Sequence, residues 1–487
     1  MSGNVVRSRT GDYRVASSGQ IHRRIGALPP FLWTVLCVII PFWVAPARKT
    51  GVPTLLLILS YMVVLYAGSR IAFVISVGEP AWLPFMFWSF TYIWIGLAML
   101  TQDLAGQNPY GVAFSSDSQE MACAIALSGM IAFDIGGRWS IYPRARLSRP
   151  SRPSRVLDRR RVIVLICLTL IGVPLLLQVY GKLGSLFLTR SESSLIVEAT
   201  GNSAASNLIL ASLIMMAPLV ASACVIAILR CSPELRRRPG WLVAGGASIL
   251  MALIATNPMS SPRFMAGAVS LGLLFSLGLI HGKRVFRAAS SSVFLLLLLL
   301  FPYADAFRYK NFVPKARSLT DFFLSKGDYD TGAQMVAVVD YRQATGGTGG
   351  NQALGVLGFL IPRSYWPNKP GSTGSLIAEY LGLPYTNVSS PLWVEAYVDG
   401  GSIAVVIAFA ALGYVMTRVS KVYALNQDTM SYSRIIVPLC AAFSLIALRG
   451  SLMTAVVPLM FMLVIGWFVT RREREPLVRL DSSGVEG

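Results

Sequence analysis

Residues 205–229 read ASNLILASLIMMAPLVASACVIAIL and contain no charged side chain. A hydrocarbon layer about 30 Å thick needs roughly 20 apolar residues to cross it as a helix, so this stretch is long enough to span a membrane. The rest of the chain has the same character, because 54% of its 487 residues are hydrophobic and only 14% are charged. The sequence therefore predicts an all-α polytopic membrane protein.

Eleven further apolar stretches fit the same length rule, which gives about twelve spans in total. They lie at 28–46, 52–69, 81–101, 121–137, 162–180, 240–256, 264–280, 290–304, 400–417, 435–448 and 451–470. The predicted organisation is a basic tail (1–27), a bundle of about nine spans (28–302), a large polar loop (303–400), three last spans (401–470) and a second tail (471–487). The first span has no small-residue cleavage site, so we interpret it as a retained helix and not as a signal peptide.

The distribution of charge predicts the orientation. With the N-terminus inside, the cytoplasmic segments hold 29 of the 43 Lys and Arg residues but only 9 of the 23 acids. Both tails are then cytoplasmic, and the long loop is extracytoplasmic. The Arg-rich run from Arg144 to Arg155 falls inside, where it is better explained as a topology signal near anionic headgroups than as a nucleic-acid surface.

Several kinds of chemistry find no support in the sequence. The six cysteines lie in or beside predicted spans without a CxxC pair, so neither a disulfide framework nor a metal site is expected. Both histidines fall on the predicted cytoplasmic side, which argues against a Ser-His-Asp site in the loop. Asp134 is the one acid inside a predicted span, and we expect it to pair with Arg138 one helical turn later.

Basic residues on the outer side form a candidate anion site, since the positive-inside rule does not require them there. They are Arg263, Arg363, Arg449, Arg190, Arg308 and Lys369. Arg263 and Arg449 stand out because each occupies a short turn between two spans, where helix ends can help to bind an anion. The alternative is that these side chains anchor lipid headgroups.

The long loop supplies carboxylates beside aromatic rings, an arrangement that is typical of sugar binding. Glu379 precedes Tyr380, and Glu395 lies between Trp393 and Tyr397. Glu395 could alternatively cap a helix or form an ion pair. The Gly-rich run 346–350 lacks a P-loop ending and is predicted to be a flexible connector. Residues 322–324 and 335–339 are too short to span, and they suit either interfacial helices or packing on the bundle.

Three loop segments carry a resemblance to a known family. They are IPRSYWPNKP (361–370) with STG (372–374), AEY (378–380), and SSPLWVEAYVDGG (389–401) leading into a span. Together with the hydropathy layout, they resemble Wzy-type oligosaccharide repeat-unit polymerases, which build O-antigen, capsular or exopolysaccharide chains in bacteria.

The resemblance implies a reaction and its participants. Such enzymes transfer a growing glycan from undecaprenyl diphosphate to a sugar hydroxyl of the next lipid-linked unit, at the outer face of the bacterial inner membrane, without a cofactor or a metal. The Arg residues and Lys369 would bind diphosphate, Glu395 or Glu379 would act as the base, and Tyr397, Trp366 or Trp393 would contact sugar. Membrane lipids, a flippase and a chain-length regulator are the expected partners.

Three other functions stay open at this point. An O-antigen ligase has a similar layout but usually depends on a His in the long loop. A flippase or transporter would use the loop as a gate, although neither an internal repeat nor a charge at the membrane midplane is evident. An accessory subunit that recruits assembly partners would not need the Arg residues for catalysis.

Overall fold

The computed structural model describes residues 27–140, 155–179, 190–199, 204–278, 282–307, 318–427 and 429–472, together with residues 181, 188 and 201. Eight of the described helices are long and apolar enough to cross a membrane. They are α2 (Thr54–Val77), α3 (Trp82–Ala105), α4 (Ser116–Trp139), α5 (Arg159–Val179), α7 (Ala204–Cys231), α11 (Lys283–Ala304), α16 (Leu392–Leu425) and α17 (Tyr432–Arg449).

Shorter apolar helices occupy the other predicted spans: α1 (Leu28–Val44), α9 (Pro239–Ala255), α10 (Arg263–Ser276) and α18 (Leu452–Phe468). At a rise of about 1.5 Å per residue, they cover roughly 21 to 26 Å. The helical membrane bundle is therefore confirmed, whereas the count of twelve spans stays a prediction. The remaining helices are α6 (Arg190–Ala199), α8 (Pro233–Arg236), α12 (Leu319–Ser325), α13 (Thr331–Thr345), α14 (Asn351–Leu357) and α15 (Thr373–Tyr380).

Helix α3 is the centre of the bundle, because 94% of its most apolar stretch is buried inside the protein. A helix that is apolar on all sides can be buried on all sides, and α3 packs against α2, α16 and α17. Its aromatic side chains make much of the contact. Phe87 stacks on Phe133 of α4 at 3.7 Å between ring centroids, and Trp82 stacks on Phe275 of α10 at 4.1 Å.

Helices α4 and α16 cross with their backbones in contact. A Cβ placed on Gly136 would overlap the carbonyl of Ala410, and a Cβ placed on Gly413 would overlap the carbonyl of Phe133. Small residues at such crossings allow the close van der Waals contact that stabilises helix pairs in lipid. The crossing fixes α16, and with it the loop segment that leads into this helix.

Two short strands are the exception to an all-α fold. Strand β1 (Arg155–Leu157) pairs antiparallel with β2 (Thr470–Arg472), and Val156 also bridges to Ser431. Arg155, the end of the basic run, donates to the carbonyl oxygens of Trp467 and Thr470. The strands thus tie together three chain segments that the charge rule places on the cytoplasmic side.

The polar loop between α11 and α16 is folded onto the bundle. Every residue from Thr331 to Val339 is buried, and α13 packs against α4 and α16. Phe322 and Phe323 of α12 are buried as well. An interfacial position for these segments is therefore wrong, and packing on the bundle is what the structure shows.

The Gly-rich run 346–350 forms a fixed turn and does not simply connect two helices. Four of its glycines have positive φ, and the Thr348 N–H donates to the carbonyl of Val398 at 3.0 Å. Asp399 then accepts from the N–H groups of Gln352 (3.1 Å) and Ala353 (2.8 Å) at the start of α14. The turn exists because glycine alone adopts these dihedral angles easily, and Asp399 caps the helix that follows.

The number of buried carboxylates in the bundle, and the partner of the predicted one, differ from the prediction. Asp134 pairs with Arg70 of α2 at 2.8 Å and accepts from the Tyr66 hydroxyl at 2.7 Å, so the predicted partner Arg138 is wrong. A second acid, Asp103, is also buried, because α3 continues four residues past the predicted end of its span. It accepts from Ser60 Oγ at 2.5 Å. Both carboxylates therefore bind hydroxyl groups on a neighbouring helix.

We expect Gly413→Val to destabilise the protein by about 1–3 kcal/mol or more, because the new side chain forces α4 and α16 apart. Gly172→Val is the matched control, since nothing lies within 4 Å of a Cβ at this position on α5. Thermal unfolding in detergent, followed by loss of the monodisperse chromatographic peak, measures the difference. Equal unfolding temperatures for the two variants would contradict the crossing.

Candidate active site

A cavity of about 720 Å³ is bounded by separate segments of the chain. They are the 106–115 connection, the first turns of α7, the turn before α10, the end of α11, the segment just before α13, the segment between α15 and α16, and the junction of α17 with α18. The charge rule assigns all of these segments to the extracytoplasmic side. Segments that are predicted to lie on one side of the membrane therefore meet around this cavity.

Arg263 enters the cavity as the first residue of α10. Its guanidinium pairs with the Asp328 carboxylate and lies 5.3 Å from the centre of the Phe301 ring. Pro262 precedes it and offers no capping side chain, so the N-terminus of α10 faces the cavity without a side-chain cap. Ser261 adds a buried hydroxyl that has no hydrogen-bond partner among the described residues. Together these groups form a positive pole, since helix N-termini carry partial positive charge.

Arg449 reaches the same place from the C-terminus of α17. It donates to the carbonyl oxygens of Gly327 (2.8 Å) and Asp328 (3.2 Å), and its Nη2 lies 3.4 Å from the Asp330 carboxylate. The guanidinium also stacks 4.7 Å from the centre of the Phe264 ring. The two arginines predicted from inter-span turns are thus brought together by residues 327–330.

Asp328 and Asp330 are functional candidates that the sequence reasoning missed. Asp330 is almost fully buried, and it accepts from the Tyr110 hydroxyl (2.9 Å) and the Ser389 N–H (3.0 Å). Burial and the adjacent carboxylate raise the pKa of Tyr110 well above its ordinary value, so the phenol keeps its proton and donates. The pair flanks Tyr329, so the same carboxylate-beside-aromatic signal that drew attention to Glu379 and Glu395 was present here too.

The cavity is amphipathic. Its charged lining consists of three cations (Arg263, Lys326 and Arg449) and two anions (Asp328 and Asp330), which leaves one excess positive charge. The rest of its lining includes apolar side chains from helices of the bundle, with Leu208 and Met215 of α7 and Met265, Ile446 and Pro458 from α10, α17 and α18. A ligand that fits both kinds of lining carries a negative head and an apolar chain.

Glu395, the favoured base, does not line this cavity. Its side chain is buried below the loop and accepts from Thr373 Oγ1 (2.6 Å) and from the Leu452 N–H (3.1 Å). Leu452 is the first residue of α18, three residues after Arg449. The carboxylate therefore joins α15, α16 and α18, and the capping alternative describes its surroundings.

The second predicted base, Glu379, also lies away from the cavity, as do two of the aromatic residues that were predicted to contact sugar. Glu379 is exposed on α15, next to the exposed Tyr380. Trp393 is fully buried, with its indole 4.1 Å from the Phe409 ring and its Nε1–H bonded to the Ala126 carbonyl, so sugar contact by Trp393 is wrong. Tyr397 is half-buried beneath the Arg342 guanidinium.

Arg363 and Lys369 bind their own loop. Arg363 donates to the Lys369 carbonyl at 2.7 Å, and Lys369 Nζ donates to the carbonyls of Phe359 (2.8 Å) and Ile361 (3.1 Å). Partial burial, followed by the charge of Arg363, lowers the pKa of Lys369. Trp366 packs on Gly358 in the same loop, 2.9 Å from where a Cβ would lie. None of the three lines the cavity.

Two predicted diphosphate ligands cannot be placed. Arg308 lies outside the described residues, and only the backbone of Arg190 is described, as the first residue of α6. In the described parts of the chain, no three His, Cys, Asp or Glu side chains converge as metal ligands would. Arg263 and Arg449 are therefore the predicted anion ligands that the structure brings into one cavity.

We expect Glu395→Ala to lower stability by about 1–3 kcal/mol for each buried donor that is left unpaired, whereas Glu395→Gln should cost less because it keeps one acceptor oxygen. Thermal unfolding of the purified variants tests this order. Glu379→Ala is the matched control on the exposed face of α15 and should unfold like wild type. An unchanged unfolding temperature for Glu395→Ala would show that the carboxylate does not support the helix junction.

Comparisons with known proteins do not identify a family. No family model, no curated protein and no solved structure matches this chain. The case for a function therefore depends on the chemistry of the cavity and on the resemblance carried by the loop motifs.

Proposed function

We propose that this protein polymerises lipid-diphosphate-linked oligosaccharide repeat units, as its resemblance to Wzy-type polymerases implies. The growing glycan would pass from its polyprenyl diphosphate to a hydroxyl of the next lipid-linked unit. The observation that carries the proposal is the meeting of Arg263 and Arg449 in a cavity that is also lined by apolar side chains from helices of the bundle. A lipid diphosphate has the two chemical characters that this cavity offers.

Binding of the diphosphate is the first step. Guanidinium groups form bidentate, charge-assisted hydrogen bonds with phosphate oxygens, and two of them suit a diphosphate. The diphosphate would replace Asp328 at Arg263 and share the uncapped N-terminus of α10. The polyprenyl chain would follow the apolar wall formed by Leu208, Met215 and Pro458 toward the lipid.

Transfer of the glycan is the second step. The bond between the anomeric carbon and the diphosphate oxygen breaks, and the departing diphosphate keeps the electron pair under the field of the two arginines. The acceptor hydroxyl forms the new glycosidic bond, and its proton passes to a carboxylate. We assign that carboxylate to Asp328, which diphosphate binding would release from its ion pair with Arg263.

The reaction sets the proposed location and partners. The cavity would open on the extracytoplasmic side of a bacterial inner membrane, with both termini in the cytoplasm, as the charge rule predicts. Undecaprenyl-diphosphate-linked oligosaccharide would reach that side through a flippase, and a chain-length regulator would act on the product. Neither a metal nor a cofactor enters the proposed steps.

Removal of either arginine should abolish polymerisation. We expect Arg263→Ala and Arg449→Ala to slow glycan transfer by about 10²-fold or more, since each removes a charged donor to the leaving diphosphate. Purified protein with a defined polyprenyl-diphosphate oligosaccharide, with and without a chelator, gives a glycan ladder readable by gel or mass spectrometry. Arg48→Ala is the matched control, because Arg48 donates to the Val52 carbonyl outside the cavity and should leave the ladder intact.

Three results would contradict this assignment. A ladder that persists in both cavity variants would show that the arginines do not act on the diphosphate. A ladder that chelation abolishes would remove the metal-free mechanism. Movement of intact lipid-linked units across a vesicle bilayer, with no ladder from wild type, would replace the polymerase with a transporter.

Asp328→Asn should separate binding from chemistry. The amide cannot take the acceptor proton, so we expect kcat to fall by about 10²–10⁴-fold. The KM for the lipid-linked donor should fall and not rise, because the neutral amide competes less with the diphosphate for Arg263. Glu379→Gln, at an exposed carboxylate of the same loop, should retain wild-type kcat. Loss of kcat in Glu379→Gln with retention in Asp328→Asn would move the base from the cavity to α15.

A further inference from the structure

Outside the cavity, one surface of the long loop exposes large apolar side chains that the proposed reaction does not use. Over the twelve residues from α14 into the following turn, the exposed fractions are 57% for Leu354, 80% for Leu357, 70% for Leu360 and 83% for Tyr365. Ile361 is 45% exposed. A contiguous apolar patch of this kind marks an interaction surface, because a water-exposed loop gains nothing from it.

The position of α14 shows what this surface meets. Gly355, on the buried side of α14, packs against the first turn of α18, where a Cβ would lie 2.7 Å from the Cε of Met453. Helix α18 is a predicted membrane helix that begins at Leu452. The exposed side of α14 therefore lies next to the start of α18, the end at which this predicted span would enter the hydrocarbon.

The loop also has the composition of a lipid–water interface. Tyr365 is exposed beside the partly buried Trp366, and such aromatic side chains concentrate at headgroup depth. Arg363 and Lys369 hold the turn closed through four hydrogen bonds to backbone carbonyls. These bonds keep two cations within the same turn as the apolar side chains, a combination that suits a membrane with anionic phosphates.

We propose that residues 354–365 insert into the lipid leaflet on the cavity side of the membrane, with Leu357 and Leu360 among the acyl chains and Arg363 and Lys369 at the level of the phosphates. The IPRSYWPNKP motif (361–370) begins within this segment, and on this proposal it belongs to a membrane anchor and not to the reaction centre. The anchor would hold the loop at the depth where a lipid-linked substrate presents its diphosphate. Insertion does not depend on the reaction proposed above, and it can be tested without substrate.

A fluorophore sensitive to polarity can report the depth of this segment. The background is the full chain with its partly or fully exposed cysteines, Cys167, Cys231 and Cys440, replaced by Ala. Leu357→Cys and Leu360→Cys are each labelled with NBD in nanodiscs of phosphatidylethanolamine and phosphatidylglycerol. Two positions guard against a single variant that fails to fold, and both side chains are mostly exposed.

Two control positions calibrate the readout. Thr386→Cys represents an exposed polar position on the same loop, and Ile407→Cys represents the exposed side of α16 within the bundle. We expect lipids with a spin label near the headgroup end of the acyl chain to quench positions 357 and 360 several-fold more than position 386. Iodide in the water should quench them less than position 386.

Either of two results would overturn the proposal. Quenching at 357 and 360 that matches position 386 for both reagents would place the segment in water. Protection from both iodide and spin-labelled lipid would show that protein, such as a second copy of the chain, covers the surface. Because no glycan is present, these outcomes are independent of the polymerase assay.

Discussion

In hydrocarbon, a backbone N–H or C=O without a partner has no water to bind, so polar backbone must be satisfied within the protein. In this chain, charged side chains satisfy backbone groups at helix ends and in the loop. Glu395 accepts from the first N–H of α18, Asp399 accepts from two N–H groups of α14, and Arg449 donates to two carbonyls of the 327–328 segment. The ordered loop and the cavity follow from the same set of caps.

The helix dipole also affects the two arginines in opposite ways, because they lie at opposite kinds of helix end. Arg449 stands at the C-terminus of α17, where the helix dipole favours a cation, so its place is stable without a ligand. Arg263 stands at the N-terminus of α10, where the dipole opposes a cation, and the ion pair with Asp328 offsets this cost. An anion delivered to Arg263 would gain from both the guanidinium and the helix end. On the proposed function, that pole is where the diphosphate would bind.

Composition allowed the helices to be located from sequence, because the length of an apolar run is a local property that lipid thickness fixes. The convergence of Arg263 and Arg449 was also accessible, since short turns on one face of a bundle lie at the same depth. Which side chains pair with each other across two helices could not be predicted from the sequence. Asp134 has a candidate partner four residues away in sequence, yet it pairs with Arg70 on another helix. Glu395 was misread for a similar reason, because a carboxylate beside aromatic residues looks the same in sequence whether it faces a sugar or a helix N-terminus.

On the proposed function, the acidic residues of the cavity would also help the site to distinguish diphosphates from phospholipid phosphates. A membrane surrounds the site with phospholipid phosphates that carry one negative charge each, so two unpaired arginines would bind them as readily as a substrate. Asp328 and Asp330 already occupy the guanidinium groups, and an incoming anion must compete with them. On the proposed function, a diphosphate would displace Asp328 where a phospholipid would not, because it brings more charge and more acceptor oxygens than a single phosphodiester. The carboxylates that look like an obstacle to anion binding would then restrict the site to diphosphates, and the displaced one would be free to accept the proton of the attacking hydroxyl.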